Sequence, residues 1–376
     1  MSQDQILRGC ILTPEGWVRG RVEHGERIEA VVGEPVAGPA PGERVVLPGF
    51  VDLHVHGGGG ADVMDGRPGQ SDAIDRIARL HARHGTTALL ATTVAASPES
   101  LREALHGVGR AARRRRPGTA RVLGVHLEGP FINAARLGAQ PAFARPADLD
   151  ELRALHALAP IRIVTLAPEM PGHVEFVREL GRLGIHAQCG HSAGTYEEGV
   201  SALLAGMRGF THLFNAMSPL HHREPGMVGA ALAHAQHAEL IPDLLHVHPG
   251  AIRAALRAIP GLYAVTDATA AAGMPDGEYR LGTHTVCKCQ GGVRLADGTL
   301  AGSALTMDQA LRNLVDIGLE LDDAARRLST HPAAYLGDPD RGAIARGRFA
   351  DLVVLRPDLH LESVHVEGEE IELADA

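Results

Sequence analysis

Lysine is almost absent from this 376-residue chain: Lys288 stands alone in a sequence otherwise rich in arginine. Cysteine is scarce too. Cys10, Cys189, Cys287 and Cys289 do not form the spaced pattern of a secreted disulfide scaffold, and a chain this long does not need one. Cys287 and Cys289 have no second pair to complete a zinc site. Aromatic residues supply only 3% of the sequence, so alanine and other small residues carry much of its apolar content. A net charge of −9 argues against a general nucleic-acid binder. The one basic run, Arg113 to Arg116, precedes Pro117-Gly118 and is expected to be the solvated end of a helix. No apolar run reaches the roughly 18 residues that a membrane span requires. The opening Met-Ser-Gln-Asp-Gln lacks the apolar core of a secretory signal. These absences predict a cytoplasmic protein that does not enter membranes.

What is present centres on Pro48-Gly-Phe-Val-Asp-Leu-His-Val-His-Gly57, which runs on into three more glycines. Side chains alternate along a strand, so His54 and His56 share a face, about 6–7 Å apart at the strand rise. Two imidazoles so placed can grip one metal ion, although two solvated histidines at a strand end would look the same. The rest of the chain decides.

Residues 1–47 hold short apolar runs at Ile6–Leu12, Gly16–Val18 and Ile28–Val32, separated by turn residues. The C-terminal end has the same texture, with runs at Phe349–Leu355 and Val364–Gly368. Both ends, 1–47 and 340–376, are expected to pack together as one small β-sandwich domain. Between them, over 48–339, apolar runs alternate with helix-like stretches such as 71–84, 97–115, 171–184 and 249–259. The alternation is the pattern of parallel α/β architecture. Eight candidate strands end near His56, Thr93, Glu128, Pro168, His191, Asn215, His248 and Asp267, which predicts a (β/α)8 TIM-like barrel. Barrels of this kind place their active sites at the C-terminal strand ends.

Those ends carry the polar residues. Glu128 follows an apolar run and precedes Gly129-Pro130. His191 and His212 close the fifth and sixth strands, with Asn215 just beyond, and Asp267 closes the eighth. Four histidines and two carboxylates on one edge are the donor types that Zn2+ and Fe2+ accept. A metal of that kind acidifies bound water, and an adjacent carboxylate can shuttle the proton. The constellation predicts a metal-dependent hydrolase. Arg223, in the loop His221-His222-Arg223-Glu224-Pro225-Gly226, suits a phosphate or carboxylate, or a surface ion pair with Glu224. His246 can join it. Leu300-Ala301-Gly302-Ser303 precedes a helix and can close one side of a pocket. His81, His84, His221 and His222 are expected on helix faces or in loops.

The chain resembles the amidohydrolase superfamily, and within it the N-acetylglucosamine-6-phosphate deacetylases, over nearly its whole length. The motifs are the Pro48–Gly57 stretch, His-Leu-Glu-Gly-Pro-Phe (126–131), Gly-His-Ser (190–192), Thr-His-Leu-Phe-Asn-Ala-Met (211–217), Arg-Glu-Pro-Gly (223–226), Val-Thr-Asp-Ala-Thr (265–269) and Leu-Ala-Gly-Ser (300–303). The resemblance implies deacetylation of an N-acetylated amino-sugar 6-phosphate, releasing acetate and the free amine. It implies that Glu128, His191 and His212 hold a main metal, and that His54 and His56, with Glu128 bridging, hold a second. One or two divalent ions are therefore expected, Zn2+ first, with Fe2+, Mn2+ or Co2+ as alternatives. Asp267 would be general base and then general acid. Arg223 and His246 match phosphate contacts. Asn215, Ala216 and Leu300, Ala301, Gly302 and Ser303 match sugar contacts. The Arg223 loop is expected to reach a neighbouring subunit's site, which implies a homodimer.

Two departures stand out. Twelve residues after Glu128 the family usually has a histidine that polarises the amide carbonyl. This chain has Gln140, which can donate a hydrogen bond to the substrate oxygen but carries no charge. The segment before His246 reads Pro-Asp-Leu-Leu, where the family typically has Asp-Gly. Three rival readings follow. A cyclic-amide hydrolase, dihydroorotase-like or hydantoinase-like, would need a bridging carboxylated lysine, and Lys288 falls beyond the eighth strand. A hydrolase of another N-acylated amine or amino-sugar phosphate remains open through Gln140. A non-catalytic barrel would have no reason to keep these histidines and carboxylates.

Overall fold

A computed structural model of the chain describes residues 5–66 and 72–373. Eight parallel strands form the centre: β1 (Phe50–Val55), β2 (Thr86–Thr93), β3 (Arg121–Glu128), β4 (Ile161–Leu166), β5 (His186–Cys189), β6 (Gly209–Phe210), β7 (His237–Leu240) and β8 (Gly261–Ala264). β1 to β6 make one sheet in sequence order, and β7 pairs with β8. Two seams join these pieces into the expected barrel. The Leu213 amide donates to the Glu239 carbonyl (2.9 Å), and the Asp267 amide donates to the His54 carbonyl (2.9 Å), beside a bridge between Val55 and Ala268. Every residue of β1 and β2 is buried, as parallel strands covered on both faces require.

The helices between strands follow from amphipathic spacing. Pro98–Arg113 buries Leu101, Ala104, Leu105 and Val108, one stripe of a 3.6-residue period. The Ser97 side chain caps it by accepting from the Ser100 amide, and Pro98 starts the first turn. The helices predicted over 171–184 and 249–259 are His173–Arg182 and Pro249–Ala258. The helix predicted from Ser71 is Ala73–Arg83, Ser71 itself lying outside the described residues.

Several strands stop earlier than their sequences suggested. β5, β6 and β8 end before His191, Asn215 and Asp267, and β7 ends at Leu240, well short of His248. The chain leaves β7 at Pro242, and Asp243 then forms a turn by accepting from the Leu245 and His246 amides. The polar residues beyond the other ends sit in left-handed turns: His191 at φ 49°, His212 at φ 30° and Asp267 at φ 51°. Side chains other than glycine rarely adopt this region, and such conformations concentrate at functional sites.

Both chain ends join in one seven-stranded sheet. Its order is Glu369–Glu370, Leu361–Val366, Leu352–Leu355, Val45–Pro48, Gln5–Thr13, Gly16–His24, Ile28–Val36. The unit expected from the two ends is therefore present as a single hydrogen-bonded sheet, with its own apolar cluster of Ile11, Val22, Ile28, Val46, Ile344, Leu352 and Val354. Residues 1–4 and 374–376 lie outside the described residues. The basic run is not simply solvated. Arg115 packs against this unit, 3.2 Å from Glu367 and 2.5 Å from Glu369, with its side chain only 12% exposed. A three-stranded antiparallel unit absent from the sequence reading, Gly277–Leu281, His284–Cys289 and Gly292–Arg294, lies between β8 and the following helix. Its Gly282 amide donates to Asp62 Oδ2 (2.8 Å), and Leu281 lines the barrel mouth. Among the described residues no helix is long and apolar enough to cross a membrane.

Candidate metal centre and active site

Glu128, at the end of β3, sits at the centre of the constellation and is 1% exposed. Its Oε1 lies 3.1 Å from His191 Nε2 and 2.9 Å from His212 Nε2, and these two nitrogens are 3.2 Å apart. Its Oε2 faces the other pair, 3.1 Å from His56 Nε2 and 3.6 Å from His54 Nε2. Asp267 Oδ1 closes that side, 3.2 Å from His56 Nε2 and 3.4 Å from His54 Nε2. Two groups of donors therefore converge, Glu128 with His191 and His212, and His54 with His56 and Asp267.

The outer ring nitrogens decide what this convergence means. His56 Nδ1 donates to the Thr92 carbonyl (3.1 Å), and His191 Nδ1 donates to the Arg136 carbonyl (2.9 Å). A carbonyl only accepts, so these rings carry their proton on Nδ1 and turn an Nε2 lone pair inward. His54 Nδ1 is held by the Glu239 carboxylate (2.8 Å), with the same consequence. Inward lone pairs facing carboxylate oxygens at these distances repel one another unless positive charge lies between them. Burial lowers the proton affinity of His56, but Asp267 and Glu128 outweigh it and raise its pKa to about 9. The same field favours a metal cation, so the residues fit one. In a third group, His54, His126 and Glu239, the ring nitrogens of His126 already have partners of their own. There His126 Nδ1 donates to the Leu53 carbonyl (3.0 Å), and Nε2 accepts from Thr165 Oγ1 (2.7 Å).

Several residues that hold this geometry escaped the sequence reading. Glu239, on β7, is fully buried and also accepts from the His212 amide (3.2 Å). Asp52 accepts from Thr266 Oγ1 (2.6 Å) and from the amides of Thr266 and His54 (both 3.2 Å), tying β1 to the turn that carries Asp267. Glu169 accepts from Ser192 Oγ (2.7 Å) and the Ala193 amide (2.8 Å), fixing the turn of His191. His81, expected on a helix face, is buried with Nε2 on the Gly57 carbonyl (2.9 Å). Gly57 admits no side chain: a Cβ there would lie 2.5 Å from the Ala270 nitrogen and the Ala61 oxygen. For Asp52 and Glu239 the available cue was an acidic residue inside an apolar strand, which is rarely buried without a partner.

A cavity of about 230 Å³ opens over the cluster. His56, Glu128, His191, His212 and Asp267 line its floor, and Gln140, Asn215, Ala216, His246, Leu300 and Gly302 line its walls. His246 Nδ1 bonds Asp243 Oδ2 (2.7 Å). Burial lowers the proton affinity of His246, but Asp243 outweighs it and leaves it raised. Ala301 and Ser303 do not line the cavity. Ser303 Oγ donates to the Thr266 carbonyl (2.6 Å), and the Ser303 amide donates to the Asp267 carbonyl (2.7 Å), so this segment braces the Asp267 turn. Arg223 is exposed, bonds His222 Nε2 (2.7 Å) and does not reach the cavity of its own chain. Gln140 lines the cavity, and its side chain also serves the protein: Nε2 donates to Glu128 Oε2 and Oε1 accepts from the Ala95 amide (2.7 Å). Lys288 donates to the Met274 carbonyl (2.5 Å), outside both donor groups.

Residues 45–371 match the amidohydrolase family. The chain is 39% identical over 369 residues to the N-acetylgalactosamine-6-phosphate deacetylase of Escherichia coli O157:H7, covering 96% of this chain and 97% of that protein. It is 40% identical over 329 residues to the N-acetylglucosamine-6-phosphate deacetylase of Bacillus subtilis (strain 168), covering 85% and 82%. Among solved structures, a mutant N-acetyl-D-glucosamine-6-phosphate deacetylase of Mycobacterium smegmatis, in complex with N-acetyl-D-glucosamine-6-phosphate, superimposes with a TM-score of 0.90 at 35% identity. That match covers 99% of this chain and all of the other.

Proposed function

The chain belongs to the metal-dependent amidohydrolase family, and on that footing we propose that it deacetylates N-acetylglucosamine 6-phosphate to glucosamine 6-phosphate and acetate. The observation that carries this reading is the convergence of Glu128, His191, His212, His54, His56 and Asp267 in two donor groups, all but the buried His54 lining one cavity floor, in a chain aligned end to end with amino-sugar-phosphate deacetylases. The donor set of imidazoles and carboxylates suits Zn2+ first and also Fe2+, Mn2+ or Co2+. Held there, a divalent ion supplies Lewis-acid polarisation and acidifies water near neutral pH.

The residues of the chain do the rest. Asp267 Oδ1 borders the floor, where it takes a proton from the attacking water. It returns that proton to the sugar nitrogen as the carbon–nitrogen bond breaks, so the amine leaves neutral and the acyl group leaves as acetic acid, which ionises to acetate by giving its proton to solvent. The protonated form of His246, favoured by Asp243, suits the phosphate at the far wall, with Asn215, Ala216 and Leu300 beside the sugar. The exposed Arg223 loop suits a homodimer in which that guanidinium serves the neighbouring cavity. A charged phosphate ester does not cross a bilayer unaided, which supports a cytoplasmic location.

A second reading, the galacto epimer, is favoured by the relative aligned over 97% of its length. The test is acetate release by the purified protein with Zn2+ or Fe2+ from both phosphorylated epimers and from unphosphorylated N-acetylglucosamine. Faster turnover of the gluco phosphate supports the proposal, and faster turnover of the galacto phosphate replaces it with the second reading. Equal turnover of the unphosphorylated sugar removes the phosphate contacts. No release from any of the three overturns the deacetylase reading.

A further inference from the structure

We infer that Gln140 makes the two halves of the metal centre unequal, its hydrogen bond to Glu128 leaving the His54–His56–Asp267 side the weaker cation site. The inference rests on the proposed reading that this cluster holds divalent metal, and it concerns how the chain divides its affinity between the two sides.

The orientation of the Gln140 amide is not a free choice. The turn before it is closed by its own amide donating to the Leu137 carbonyl (2.9 Å). Its side chain then spans from Glu128 to the backbone of Ala95, just beyond β2. The Ala95 N–H only donates, so it selects the side-chain oxygen of Gln140. The NH2 group is thereby turned onto the Glu128 carboxylate. Gln140 is 7% exposed, so this bridge lies within the cavity wall.

Glu128 divides its two oxygens between the two donor groups. Oε1 serves His191 and His212, and Oε2 serves His56 and His54. Gln140 bonds Oε2 alone. A hydrogen bond from a fixed amide engages one lone pair and draws density from the oxygen that remains. A cation on the His54–His56 side meets that engaged oxygen, while a cation on the His191–His212 side meets a free one. Losing a neighbour that supports a ligand typically weakens binding by about 10–100-fold. Gln140 instead competes for the ligand oxygen itself, so its loss should act in the opposite direction on a similar scale. Gln140 thus acts through Glu128, as a positioning residue. Apart from His191 and His212 themselves, no side chain bonds Oε1 among the described contacts.

Calorimetric titration of chelator-stripped wild-type protein with Zn2+ tests this. Two steps are expected, the second at least about tenfold weaker. H56N should remove the weaker step and H191N the stronger. Q140M, similar in volume but unable to donate, should tighten the second step by about tenfold and leave the first within about threefold. Q140L serves the same purpose should Q140M not accumulate folded. Two equal steps in the wild type overturn the inference, as does a Q140M second step that is unchanged or weaker. Absence of Zn2+ binding by the wild type overturns the metal-centre reading itself. Wild-type binding with no selective effect of Q140M overturns only the role of Gln140.

Discussion

At the scale of single residues, charge placed beside the ligands matters as much as the ligands. Glu239 holds the His54 ring and the His212 backbone from within the barrel. Glu239→Gln keeps the size of the side chain and removes its charge. It should weaken Zn2+ binding by about 10–100-fold with little change in fold, checked by metal titration beside circular dichroism. Asp267→Asn should lower kcat by about 10²–10⁴-fold while the Glu128–His191–His212 side still binds metal. A variant with normal kcat would remove Asp267 from proton transfer. Much of this scale was legible in advance. The six candidate ligand and acid–base residues meet as their motifs implied. Gln140 stood out in the sequence, but which way its amide points depends on the Ala95 N–H, a backbone group that no side-chain pattern reveals.

At the scale of elements, the strands were easier to find than their ends. Continuous apolar runs located β1 to β6 and β8, whereas His191, His212 and Asp267 lie in left-handed turns just beyond the hydrogen-bonded residues. Nothing in a propensity or period marks a histidine as left-handed, because the conformation is imposed by the neighbouring turns. The segment 300–303 is one such constraint. Gly302 stands at φ 61°, and a Cβ there would lie 2.6 Å from Thr269 Cγ2 and 2.9 Å from the Asp267 carbonyl. Gly302→Ala should therefore displace the Asp267 turn. The expected result is a loss of about 1–3 kcal/mol in stability together with a disproportionate fall in kcat, read from denaturant unfolding and steady-state kinetics. A loss of stability with normal kcat would confine this segment to a structural role. The three-stranded unit over 277–294 was missed because its short strands resemble loop sequence.

At the scale of the whole molecule, an ion network fastens the sheet of the chain ends to the barrel. Glu367 takes bonds from Arg121 at 2.7 Å, Arg341 at 2.5 Å and Arg115 at 3.2 Å. Burial pushes its carboxyl up, but Arg121 and Arg341 outweigh that and hold its pKa at about 2. A depressed folded-state pKa contributes stability that is complete above the unfolded value near 4.3 and is lost as pH falls toward 2. The thermal midpoint should therefore decrease between about pH 5 and pH 2, and Glu367→Gln should flatten that limb. At neutral pH the same variant should cost about 1–2 kcal/mol, since Arg341 and Arg115 keep Asp351 and Glu369 as partners and Arg121 is partly exposed. An unchanged acid limb would assign the acid sensitivity to other carboxylates.

The shared sheet also bears on how the chain is made. Val45–Pro48 pairs on one side with Gln5–Thr13 and on the other with Leu352–Leu355, a segment translated some three hundred residues later. Until that late segment emerges from the ribosome, the flank of Val45–Pro48 is an unpaired edge of apolar residues, a template for pairing with another chain. Released chains truncated before residue 352 should accordingly aggregate or recruit chaperones, whereas released full-length chains should not.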